Sequence, residues 1–224
     1  MEYPERKSVL VTIVAVVILS SLYMLPMGNQ FMGGNQFSPI RVACVGDSIT
    51  QGTYYTQDLQ KLLGNHYAVG NFGLGGSTVL LSTIKPYMYR PVFQNAQNFR
   101  PNIVIVMLGT NDANPMYLDR IDNFVQDYKT LVSQFSSAHQ IWLVLPPPIY
   151  SDRLGPNGAS LVNNIIPRIQ QVANELNLPT IDVYSSLLNH SDFFYDGVHP
   201  TAEGAQIIAN TVYAVLTNDT SAQK

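Results

Sequence analysis

From residue 41 onward, short apolar runs alternate with stretches of helical spacing, and this alternation leaves the chain very few folds. The runs cover residues 41–45, 67–71, 103–108, 141–145 and 180–183. Helical spacing predicts helices over 56–63, 87–99 (broken by Pro91), 118–135 and 163–176, with a closing helix over 201–216. Residues 103–108 are apolar throughout, as a strand covered on both faces requires. Residues 118, 121, 124, 125, 128, 131, 132 and 135 are apolar and share one helical face. Pro167 is tolerable only near the first turn of its helix. Strands joined by helices pair in parallel with right-handed crossovers, which gives an α/β fold with an open sheet covered on both faces. In such sheets ligands bind at the carboxyl ends of the strands.

At 224 residues the chain suffices for one domain with a real core. Charged residues make up only 12% and the net charge is −3. No basic stripe exists, which argues against a nucleic-acid partner. Cys44 is the only cysteine, so no internal disulfide can form; in its apolar run it reads as a small buried hydrophobe.

The N-terminus has a different character. Residues 9–25 are almost wholly apolar, and 8–27 give the roughly 20 residues that cross a bilayer as a helix. Arg6 and Lys7 flank this run, and no Lys or Arg follows before Arg41. Residues 1–27 therefore read as a membrane anchor with the N-terminus cytoplasmic and the bulk of the chain outside. The rival is a cleaved signal peptide, but the run is long for one and no Ala-x-Ala-like site follows. Residues 28–39 contain Gly28-Asn29-Gln30-Phe31 and again Gly34-Asn35-Gln36-Phe37, and read as a flexible linker. A folded domain over 40–218 and a tail over 219–224 complete the expected organisation.

Four blocks carry chemistry. Gly46-Asp47-Ser48 follows the first strand, Asn71-Phe72-Gly73-Leu74-Gly75-Gly76 the second and Gly109-Thr110-Asn111-Asp112 the third. Asp196-Gly197-Val198-His199 precedes the last helix. Ser48 is a poor nucleophile unless a base takes its proton. His199 suits that role best of the four histidines, because Asp196 three residues earlier can accept from its Nδ1–H. The Ser48 N–H, a glycine N–H of the second block and the Asn111 amide are candidate oxyanion donors, each worth about 3–4 kcal/mol in a transition state. Singly the blocks are weak: Gly-Asp-Ser is a common turn, a glycine cluster can be only a turn, and Asn-Asp after a strand is often a helix cap. Together, at consecutive strand ends, they specify a serine hydrolase. No P-loop and no Gly-x-Ser-x-Gly elbow is present. Asp196 and His199 lack the further His or Cys cluster that a metal site needs.

The blocks resemble those of the SGNH (GDSL-type) hydrolase superfamily, and the resemblance spans 41–216. It implies a flavodoxin-like three-layer α/β/α sandwich with a five-stranded parallel sheet in the order 2-1-3-4-5, and ester hydrolysis without metal or cofactor. It implies Ser48 as nucleophile, Asp196 and His199 as the rest of the triad, and Ser48, Gly76 and Asn111 as the oxyanion hole. Aligning Asn71 and Thr78 with the family pattern selects Gly76 over Gly73. Ile49 stands where the naming motif has leucine. Lys85-Pro86-Tyr87, Leu145-Pro146-Pro147-Pro148 and Ile165-Ile166-Pro167 are similar to the carbohydrate O-acetylesterase branch, including its sialate acetylesterase-like members. The expectation is a membrane-anchored, extracytoplasmic serine esterase that removes short acyl groups, acetyl first, from carbohydrate. Asp47, Lys85 and Tyr87 are then candidates for substrate binding. The same triad serves lysophospholipases and thioesterases, so those remain the enzymatic rivals. A hydrolase fold used only as a carbohydrate-binding module is the rival of another class; the intact Ser48, Asn111, Asp196 and His199 argue against it.

Overall fold

The computed structural model describes residues 38–218. The proposed anchor over 9–25, most of the linker and the tail lie outside the described residues; among the described ones no helix is long and apolar enough to cross a membrane.

Five parallel strands form one sheet in the order β2-β1-β3-β4-β5, as the sequence implied. They are β1 (Ile40–Gly46), β2 (Tyr67–Gly73), β3 (Ile103–Met107), β4 (Gln140–Leu145) and β5 (Thr180–Asp182). The strands are joined and followed by α1 (Ser48–Gly52), α2 (Tyr55–Leu63), α3 (Pro91–Asn98), α4 (Phe124–Ser133), α5 (Ile166–Leu176), α6 (Val183–Leu187) and α7 (Ala202–Asn218), with shorter helical turns between them.

Successive strand residues point to opposite faces, so each strand feeds two cores. Ala43, Val45, Val104, Val106, Leu143 and Leu145 pack with α3, α4 and α5. Val42, Cys44, Ile105, Met107, Trp142, Val144 and Ile181 pack with α2, α6 and α7. Phe93, Phe124, Tyr128 and Ile169 anchor the first layer; Leu59, Ile208, Val212 and Leu216 anchor the second. Cys44 lies wholly inside the second core.

Four local departures have physical causes. A short helix, α1, opens at Ser48 itself, because the Asp47 carboxylate caps it by accepting the Ile49 N–H at 3.0 Å. Five residues are too few to leave a periodic signal in a sequence. The expected helix over 118–135 is a 3₁₀ stretch over Pro115–Asn123 followed by α4. The tighter winding turns Tyr117 into the core in place of Leu118, which is exposed. The expected helix over 163–176 begins as a wide π turn over Leu161–Ile165. Pro167 then falls in the first turn of α5, where its missing N–H costs nothing. Val183, expected to end a strand, opens α6, because Asp182 caps that helix through the Ser185 N–H at 2.8 Å.

Candidate active site

The carboxyl ends of β1, β2 and β3 and the loop before α7 bring the four blocks together. Ser48 Oγ lies 2.8 Å from His199 Nε2, across 151 residues of sequence. His199 Nδ1 lies 2.7 Å from Asp196 Oδ2. A carboxylate can only accept, so Nδ1 carries the proton and Nε2 is left to take one from Ser48. Asp196 also accepts the N–H groups of Val198 at 2.9 Å and His199 at 2.7 Å through Oδ1. Burial acts to raise the Asp196 pKa, but the His199 N–H, the imidazole and the Val198 N–H outweigh it and hold the carboxyl below its ordinary value.

The loop that carries Asp196 and His199 is closed on itself. Tyr195 N–H donates to His199 O at 3.1 Å, and Phe194 pairs with Pro200 in an isolated antiparallel bridge. Gly197 has φ +85°, and a Cβ there would stand 2.4 Å from the Ser151 Cβ, so only glycine fits this turn. The exposed ring of Tyr195 stacks on His199, with centroids 5.6 Å apart and planes 15° apart.

The glycine block supplies one unspent donor. Gly73 N–H donates to Asn71 Oδ1 at 3.0 Å, and Gly75 N–H to Gln51 Oε1 at 2.7 Å. The turn 74–77 is closed by Ser77 N–H on Leu74 O at 3.2 Å, with Gly76 at φ +74°. Neither the Gly76 N–H nor the Ser48 N–H meets an acceptor among the described residues. A Cβ on Gly75 would lie 3.5 Å from the Ser48 Cβ, which puts this turn directly against Ser48. Asn111 Nδ2 donates to Ser77 O at 3.0 Å, so its amide borders the same turn with a second hydrogen to spare. The Ser48 N–H, the Gly76 N–H and the second Asn111 amide hydrogen thus lie in or beside the turn that abuts Ser48.

Two candidate binding residues do not reach a surface. Asp47 is fully buried beneath the site, where it caps α1. Tyr87 is fully buried too, with its hydroxyl donated to Phe72 O at 2.5 Å. Both are corrected to supporting roles, because a side chain without accessible surface cannot touch a substrate in this arrangement. Lys85 is held against the glycine turn, with Nζ donating to Gly75 O at 2.6 Å.

Asp112 belongs in the sequence to the Asn-Asp pair, which is open to a helix-cap reading. It reaches back across 32–33 residues instead, and its two oxygens accept the N–H groups of Leu80 at 2.9 Å and Val79 at 3.0 Å. Asp127 accepts the Leu81 N–H at 2.9 Å. These carboxylates tether the segment that follows the glycine turn. No short-range pattern marks them; only the fold brings them there.

Burial drives the Asp47 carboxyl up to about 6, and the Ile49 N–H offsets only part of this. Burial likewise drives Asp112 up to about 7, against the pull of the Leu80 and Val79 N–H groups. Both lie above the ordinary value of 3.8, so between about pH 4 and pH 7 these two groups hold more protons in the folded chain than in the unfolded one. Stability contributed by these two groups is full below that window and is lost as pH rises through it. The urea midpoint is expected to fall between pH 5 and pH 7.5, and Asp112→Asn to flatten that fall. An unchanged slope in Asp112→Asn would remove Asp112 from the account.

A family model described as "GDSL-like Lipase/Acylhydrolase family" matches residues 44–207. An acetylxylan esterase of Xylanibacter ruminicola is 31% identical over 206 residues, covering 79% of this chain. The chain spans 43% of that relative's length. An aryl esterase of M. smegmatis superposes with a TM-score of 0.66 at 20% identity, covering 80% of this chain and 98% of its own. Est24, a carbohydrate acetylesterase from Sinorhizobium meliloti, superposes with a TM-score of 0.64 at 18% identity, with the same coverage of each chain. These two likenesses concern the fold.

Proposed function

The chain belongs to the GDSL-like lipase/acylhydrolase family, and on that premise we propose that it is a serine esterase removing short acyl groups, acetyl first, from carbohydrate. The observation that carries the esterase reading is the continuous relay Asp196–His199–Ser48, at 2.7 and 2.8 Å, beside a glycine turn whose Gly76 N–H meets no acceptor among the described residues.

In this reading Ser48 Oγ attacks the ester carbonyl as His199 Nε2 takes its proton. The carbonyl oxygen becomes an anion and accepts from Ser48 N–H, Gly76 N–H and Asn111 Nδ2. The tetrahedral species collapses to an acyl-serine, and the imidazolium returns its proton to the leaving sugar oxygen. Water then attacks the acyl-serine by the same route, and the acid leaves with Ser48 restored.

Two observations support carbohydrate as the alcohol part. One is the 31% identity to an acetylxylan esterase. The other is the position of Tyr195: the leaving oxygen must stand beside His199 Nε2 to be protonated, so the sugar lies next to the exposed ring stacked on that imidazole. A shallow, open acyl site would leave added methylenes in water, where they gain none of the roughly 0.8 kcal/mol that burial of each would bring. Values of kcat/KM are expected to fall steadily from acetyl to octanoyl p-nitrophenyl esters, with acetate released from acetylated xylo-oligosaccharides. A preference for octanoyl esters without release from the sugars would move the protein to the lysophospholipase or thioesterase reading.

The proposal extends to location. Residues 9–25 are read as holding the protein in a membrane, with the catalytic domain on the side away from Arg6 and Lys7. The native protein is expected to stay with the membrane pellet after carbonate extraction. A soluble native protein whose first residue lies beyond residue 20 would mean a cleaved signal peptide.

A further inference from the structure

One peptide unit at the site carries a fixed cation at one end and an unspent donor at the other. Its carbonyl is Gly75 O, which accepts from Lys85 Nζ at 2.6 Å, a short contact for an ammonium donor. Its N–H is that of Gly76, which no described residue accepts. The Lys85 stem runs along the same turn: a Cβ on Gly76 would lie 3.7 Å from Lys85 Cδ. The backbone of Lys85 is fixed as well, since Lys85 O accepts the Thr78 N–H at 3.1 Å and Tyr87 N–H donates to Thr78 O at 2.9 Å.

Amide resonance couples the two ends of a peptide unit. A positive charge on the oxygen draws electrons from nitrogen and leaves the N–H a stronger donor, as in any polarised hydrogen-bond chain. We propose that Lys85 is a positioning residue of the oxyanion hole, its ammonium polarising the Gly75–Gly76 peptide toward the developing oxyanion. The proposal rests on the reading of Gly76 N–H as an oxyanion donor. It differs from substrate binding by Lys85, which would act on KM and would need no contact with Gly75.

Polarisation requires the charge, whereas a packing role requires only the stem. K85C separates the two. The other thiol, Cys44, is fully buried in β1 and pushed up to about 12 by burial, so alkylation reaches position 85 alone. Bromoethylamine loses bromide to the new sulfur and restores a side chain of lysine length with its ammonium. Bromopropane builds a neutral side chain of the same length.

With acetyl esters, K85C is expected to lower kcat about ten- to hundredfold, less than the 10²–10³ of a deleted donor, with KM within about twofold. Aminoethylation should restore kcat to within about threefold of wild type, and propylation should not. A boronic acid that mimics the tetrahedral species should lose affinity by about the same factor as kcat. K85M, which introduces no thiol, should reproduce the fall. Equal recovery by the propyl adduct overturns the proposal, as does a rise in KM with kcat unchanged. Wild-type kcat in both K85C and K85M, with Ser48 still labelled by a fluorophosphonate, overturns it while leaving the esterase reading intact.

Discussion

Ser48→Ala and His199→Ala are each expected to remove nearly all hydrolysis, a fall in kcat of about 10⁶. The two residues act as a unit through the 2.8 Å contact, so the double variant should be no worse than either alone. Asp196→Asn should cost about 10⁴ and leave a measurable remainder, because Asp196 orients the imidazole and holds its tautomer without reacting. The amide nitrogen of the asparagine would face Nδ1 as a donor and favour the wrong tautomer. A fluorophosphonate should label Ser48, with labelling abolished in His199→Ala. Substantial turnover by Ser48→Ala, or a label on another serine, would remove this serine from the reaction.

Asn111→Ala should lower kcat by about 10²–10³ with little change in KM, since its spare amide hydrogen serves an oxygen that is fully anionic only in the transition state. Asn111 also donates to Ser77 O at 3.0 Å and so braces the turn carrying Gly76. Asn111→Asp sharpens the test, because it keeps the shape but places a negative carboxylate where donors are required. It should be at least as slow as the alanine variant, with the folded near-ultraviolet spectrum retained. If Asn111→Ala instead raised KM and left kcat alone, the amide would be a substrate contact and the hole would consist of backbone donors only.

The parts of this molecule that sequence makes legible are those decided locally. Residues 103–108 had to be a buried strand because no polar atom interrupts them, and the order of strands followed from parallel pairing together with the family resemblance. Ser48, Asn111, Asp196 and His199 were legible because each lies in a compact block that can only sit at a strand or helix end. The destinations of Lys85, Tyr87 and Asp112 were not, since each is set by a partner that only tertiary structure supplies. Lys85 and Tyr87 follow the glycine block closely, and in sequence alone they are candidates for substrate binding. Tyr87 is drawn into the first core beside Phe93, with ring centroids 6.0 Å apart, and Lys85 onto Gly75 O. Asp112 looked like a cap because the Val79 and Leu80 N–H groups it accepts are more than thirty residues away. The change from 3₁₀ to α winding near Asn123 likewise escapes a periodicity of 3.6, because the two windings bury different residues of one apolar-rich segment.

The self-closed loop that holds Asp196 and His199 also sets when the protein can first act. Base and orienting acid lie within four consecutive residues and arrive together, while Ser48 precedes His199 by 151 residues. A ribosome adding about 5–20 residues per second needs roughly 8–30 s to cover that distance. Throughout that interval the nascent chain carries a serine without a base, unable to turn over the esters around it. α7 follows directly on His199 and packs against α2, so the appearance of hydrolysis during synthesis is expected to report the arrival of this C-terminal segment on the sheet.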